Sequence, residues 1–222
     1  LINPIEVEVV EARVDSLGDL RNIAQASFLP PISTNGSDNG ETINNFSLNF
    51  IAGKSKGLEG LEVGLGANFE KHNVQGGQFA GGFNIVGGHV YGALFAGLCN
   101  FNKGYTAGGQ FSGISNMVLD NADLVQGAGL LNVVKGPFNG VQLSGVLNFK
   151  SGFTTGVQGA GFGNFIKSSG KVVQGAGFYN ICVGSIQGGQ GAGFINLCLG
   201  EMLGIQTAGF YSRNQSFNQE SL

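Results

Sequence analysis

Tryptophan is absent from this chain, proline occurs four times, cysteine three times, and only 11% of the 222 residues are charged. Each scarcity excludes something. Eleven Lys and Arg at a net charge of −3 leave no basic surface to neutralise phosphates, so nucleic acid is excluded as a partner. Three cysteines without a CxxC or Cys/His spacing build neither a disulfide framework nor a zinc site, and neither a metal nor a cofactor is expected. No apolar run reaches the roughly 18 to 20 residues of a spanning helix. Leu1 follows no Met, basic n-region or apolar h-region, which reads as a processed or excised piece. Low charge beside 42% apolar residues is the reverse of a disordered composition.

What the chain has instead is 41 glycines and 18 phenylalanines, arranged with a period. Asparagine recurs every 16 residues, at Asn68, Asn84, Asn100, Asn116, Asn132, Asn148, Asn164, Asn180 and Asn196, with Ser212 in phase. Three residues before each stands a glycine, Leu65 excepted. Six before stands Gln78, Gln110, Gln126, Gln142, Gln158, Gln174, Gln190 or Gln206, with Glu62 and Leu94 departing. A small residue, usually Ala, lies between, giving ten uninterrupted copies of Gly-Val-Gln-x-Ala-Gly-Phe-x-Asn.

A unit so short and so rich in Gly, Val and Phe makes strands and turns, not a helix pair. The expected fold is all-β: a parallel β-solenoid with 16-residue coils and an N-terminal cap. An antiparallel outer-membrane β-barrel is the alternative. Equal intervals with every turn alike favour the solenoid, since a barrel needs an accumulating stagger and alternates short turns with long loops. Volume also compensates between the positions five and two before each Asn, as in Phe79 with Gly82 and Gly175 with Phe178. That pairing predicts a shared interior space across a bend at the Ala-Gly step. A second bend is expected at the Gly four after the Asn, and the residue after the Asn, from Phe69 to Leu197, is expected to be the regular core ladder.

From eight residues before each Asn to one after it, the only charge in nine units is Glu62, which speaks for the barrel. Glu70, Lys71, Lys103, Asp120, Lys135, Lys150, Lys167 and Glu201 are assigned to the variable corner. Three segments are expected: an N-terminal cap and lead-in over 1–57, ten repeats over 58–213, and a polar tail over 214–222. In the first, Ile5 to Val14 alternates like a strand, Asp15 to Ser27 is polar with a short helix expected, 33–45 is a loop, and 46–53 reads as a coil out of phase.

The run FLPPISTNG over 28–36, then NNFSLNFIAG over 44–53, GLEGLEVG over 57–64 and the serial repeats resembles the bacterial surface-repeat proteins first named from leptospiral surface proteins and common in Bacteroidota. The resemblance covers about residues 28 to 213 and implies an exported protein at the outer membrane or cell surface of a Gram-negative bacterium, with no catalytic residue to carry over. Within it, Asp15-Ser16-Leu17 fits a short O-glycosylation acceptor pattern.

Candidate chemistry is sparse. The Asn column is expected to be a structural ladder of stacked amides, and the Gln column, if outward, a contact strip for a ligand or partner. GGQGAG over 188–193 has no Lys of a phosphate loop, and Gly53-Lys54-Ser55 has Leu48 where such a loop starts with Gly. No repeat supplies the Asp of a calcium-binding β-roll. His72 and His89 differ in phase, and the one acidic route to glycan cleavage is Glu59, Glu62 and Glu70 in one atypical coil. Cys182 and Cys198 share a column and are expected to be free buried thiols. The sequence thus predicts a non-enzymatic scaffold or accessory subunit of an outer-membrane assembly, partnered by an outer-membrane or surface protein or by lipid. A transmembrane porin or anchor, and a polysaccharide-binding or -cleaving β-helix, are the alternatives.

Overall fold

The computed structural model describes residues 13–14 and 18–214. It is a parallel β-solenoid of about 11 turns with about 16 residues per coil. The coil over 74–89 shows the plan: a long strand (Val74–Ala80), a corner at Gly81 and Gly82, a short strand (Phe83–Val86), and a second corner over 87–89. Long strands stack into one sheet and short strands into another, the two facing each other across a narrow interior. Register is fixed at one period: Val74 pairs Val90 and then Thr106, while Asn84 pairs Asn100 and then Asn116. Every repeat pairing is parallel, so the barrel alternative falls; it would need antiparallel neighbours closing one sheet on itself.

Both corners depend on glycine because successive coils touch backbone to backbone. A Cβ on Gly81, Gly97 or Gly129 would lie 2.0 Å from the carbonyl oxygen one coil below, which no side chain tolerates. A second column eight before the Asn needs glycine for its backbone angle as well. Gly76, Gly92 and Gly108 have φ of 134°, 146° and 124°, in the region that disfavours a Cβ. Leu124 and Val172 replace that glycine in two coils, where the strand alternates regularly and both side chains are buried.

The start of the rod differs from the expected cap. Leu20–Leu29 is a strand of the wide sheet, not a helix, and pairs in parallel with Thr42–Asn49. Its inward residues are Asn22, Gln25 and Ser27. A polar interior reverses the usual pattern, and that hid the strand. Arg13–Val14 and Ile32–Ser33 fold back antiparallel along its free side, which blunts an edge that would otherwise template pairing. Within 33–45, Gly36–Gly40 makes a single tight turn. The out-of-phase coil is real: Ala52–Ser55 pairs Ala67–Glu70 at an offset of 15. Ile5 to Ala12, the glycosylation pattern over 15–17 and the tail beyond Asn214 lie outside the described residues.

Candidate functional site

The interior is where the residues of interest meet, and it is unusually polar. Along the short strand, side chains alternate about the Asn, so Asn84 and Val86 point in while Phe83 and Ile85 point out. Two expectations are thereby corrected. The residues after the Asn, from Phe69 to Leu197, are not the core ladder; all but Val133 are only half-buried, on the outer face. The core column is the next residue on, comprising Glu70, Val86, Asn102, Val118, Val134, Lys150, Ile166, Cys182 and Cys198. Glu70 and Lys150 therefore leave the variable corner to which their charge assigned them.

The Asn ladder is present. From Asn49 to Asn196, each Nδ2 donates to the next Oδ1 at 2.8–3.0 Å. The other amide hydrogen goes to the carbonyl 11 residues on, as in Asn84 to Phe95 and Asn132 to Leu143, both 2.8 Å. That carbonyl sits where the long strand enters its corner, so the amide satisfies backbone that the bend takes out of simple sheet pairing.

The Gln column is corrected outright: it is no outward strip. Gln78, Gln110, Gln126, Gln142, Gln158, Gln174 and Gln190 are at most 2% exposed, and Gln206 in the last coil is half-buried. They form a second ladder that donates the opposite way. Gln126 donates to Gln110 at 2.9 Å, Gln142 to Gln126 at 2.7 Å, and so on to Gln206. Leu94 breaks it, and the consequence is visible on both sides: Gln78 Oε1 and Gln110 Nε2 are buried without partners. Leu94→Gln would bridge them. A buried Leu-to-polar change normally forfeits about 1.5–3 kcal/mol of burial, but two satisfied orphans return about 1–3 kcal/mol each. The expected urea midpoint is at or above that of the parent; a clear fall would show that the gap is not an unmet ladder position.

Both ladders end at an acidic pair. Glu62 occupies the Gln phase and accepts from Gln78 Nε2 at 2.5 Å and from Asn49 Nδ2 at 2.7 Å. Asn49 also starts the Asn row, so it joins the two. Glu70 lies 2.7 and 2.6 Å from Ser55 Oγ through its two oxygens and hydrogen-bonds to Glu62. Burial, then the neighbouring Glu62 charge, raises the Glu70 carboxyl well above its ordinary value. Burial raises Glu62 too, against the hydrogen bonds it accepts, Glu70 foremost. Both carboxyls are thus biased toward the neutral form, because two charges cannot be held so close together away from water. Glu59, the third member of the acidic cluster, faces outward to Arg21 Nη1 at 2.5 Å. With Glu62 and Glu70 at 0% and 4% exposure, no glycan reaches them.

One lysine and two of the three thiols are equally enclosed. Lys150 is fully buried, its Nζ 3.3 Å from the Gly136 carbonyl and 4.4 Å from the centre of the Phe138 ring. Burial pulls its ammonium down to about 6. Cys182 and Cys198 are free and buried, and burial raises both thiols, Cys182 to about 12. Cys99 is free and half-buried. His72 and His89 are exposed and apart in phase. Among the described residues no group of three His, Cys, Asp or Glu could hold a metal ion.

The outside is apolar instead. The compensating positions five and two before the Asn do not fill an interior; their large residues stand exposed beside the Ala-Gly corner. Phe79, Phe95 and Phe111 stack at 4.8 and 5.3 Å, and Phe162, Phe178, Phe194 and Phe210 at 4.8–5.1 Å. They are 36% to 74% exposed. Beside the first stack runs an open groove of ≈ 520 Å³ floored by Ala80, Gly81, Ala96 and Gly97. In comparison with known proteins, no family model, no curated protein and no solved structure matches the chain.

Proposed function

We propose that this chain is a non-enzymatic scaffold or accessory subunit held at the outer membrane or surface of a Gram-negative cell. The observation that carries the reading is the apolar exterior: the interior mixes amide ladders with a column of Val and Ile, while phenylalanines and further aliphatics stand on the outside. Water-facing proteins seldom leave so continuous an apolar exterior uncovered, and such a surface marks an interface. The resemblance of 28–213 to bacterial surface-repeat proteins points to the same place. The polysaccharide alternative gains nothing from the groove, because its phenylalanines spend their faces on one another and offer a sugar only ring edges. Density-gradient fractionation of the source cells is expected to carry the chain with outer-membrane markers. Recovery in the soluble fraction alone would overturn the reading.

A further inference from the structure

We infer that the outer face of the short-strand sheet is a docking surface for an anionic lipid bilayer, which the rod meets lying flat. Resting on the proposed envelope location, the inference adds which face is used and what it meets. That face is formed by the residues immediately before and after each Asn. From Ala67 to Leu197 it carries no charged side chain: Phe83 and Ile85, Leu147 and Phe149, Tyr179 and Ile181 are typical. The 36–40 turn packs against the first short strand, at Lys54; from Ala67 onward the short strands contact only their neighbours in the same sheet and the long strands of their own and adjoining coils.

Its rim decides what covers it. Three residues after the Asn, where the chain leaves this sheet, stand Lys71, Lys103, Lys135 and Lys167, all exposed and 32 residues apart, one on every second coil. At about 4.8 Å per rung they form a row spaced about 9.6 Å along the rod. The columns of this face and rim contain no acid from Gly66 to Tyr211, although the whole chain carries −3. Asp120 and Glu201 lie farther round the corner, off the face. Lys71 reaches Glu41 of the lead-in, leaving three rim lysines with no acid on their columns. An apolar plane edged by long cationic side chains is the arrangement of a protein seated in a membrane interface: the plane enters the headgroup boundary while the lysines reach anionic headgroups. A second copy on the same face is less well matched, because antiparallel rods would bring the two lysine rows together.

The test is co-sedimentation of the full chain with vesicles of phosphatidylcholine alone or with 40% phosphatidylglycerol. Binding is expected only with phosphatidylglycerol and is expected to weaken at high salt. In Lys103→Gln/Lys135→Gln/Lys167→Gln the affinity should fall by about fivefold per lysine removed. Absence of binding, equal binding to both vesicles, or an unaltered triple variant overturns the inference. So does a concentration-dependent dimer, abolished by Phe149→Ser, in a chain that ignores vesicles. Because purified chain and pure lipid are used, failure here leaves the fractionation result standing, and a soluble chain that still binds vesicles separates the two the other way.

Discussion

Asn132→Leu is expected to cost the rod about 3–6 kcal/mol, read as a fall in the urea midpoint of the whole chain. The substitution keeps the branched outline and the number of side-chain heavy atoms at a somewhat larger volume and adds apolar character, so a core whose columns were merely filled would largely tolerate it. Three partners lose their bond instead: the Leu143 carbonyl, Asn148 Oδ1, and one amide hydrogen of Asn116. All three lie inside, and each orphan costs about 1–3 kcal/mol. Asn196→Leu at the last full coil is the internal control. Its bonds to Asn180, to the Gln190 carbonyl and to the Thr207 carbonyl are lost, but its in-phase successor Ser212 and Thr207 are exposed, so water reaches groups orphaned on that side and the effect should be smaller. Equal midpoints for Asn132→Leu and the parent would mean that the ladder is decoration on a sheet that stands without it.

The second large effect has the opposite sign. Lys150→Met should stabilise the chain by about 1–4 kcal/mol at pH 7, because a buried charge-bearing group gives way to an unbranched apolar one a single atom shorter. Methionine sulfur also suits the place beside the Phe138 ring. The pH dependence identifies the cause. In the folded chain the amine titrates near 6, against an ordinary value near 10.5. Between these values the unfolded state holds one more proton, so the parent loses stability as pH falls from about 10.5 to about 6 and changes no further below. The gain from Lys150→Met should therefore be smallest at pH 10 and largest near pH 6. The Glu62 and Glu70 pair acts the other way in both proteins: its raised folded values favour low pH, and that stability is lost as pH rises through them. Taking the difference between variant and parent removes this shared term. A gain independent of pH would show that packing alone, and not the buried amine, is responsible.

Sixteen-residue spacing was enough to read the architecture, because a fixed period with no insertion admits identical coils and little else. The Asn ladder was legible for the same reason. Which way each column faced was not. Reading apolar as inward placed Phe79, Ile85 and Phe149 in the core and left the direction of Gln142 open; the structure turns the first three outward and buries the fourth. The physical cause is that amides repeating at one register satisfy one another along the stack, so burial no longer penalises them. The signal that would have found the true core was strand alternation counted from the Asn, which lands on Val86, Val118, Val134, Ile166 and Cys182. Glu70 and Lys150 in that column obscured it. Nothing in one sequence announced that these two were buried, since charge is the ordinary mark of a surface.

The two amide rows run side by side and donate in opposite directions. In an α-helix every peptide dipole points the same way, and the ends gain partial charge as the helix grows. Here the axial component of each Asn amide is opposed by that of a Gln one column away, so adding a coil adds almost no net field along the rod. What an end requires is chemical only: an acceptor for the last Gln and a donor for the first Asn, supplied by Glu62 and Asn49. Length is then electrostatically free. A coil can be gained or lost by whole periods without altering what either end must provide, and the rod's reach becomes a quantity that changes in steps of about 4.8 Å.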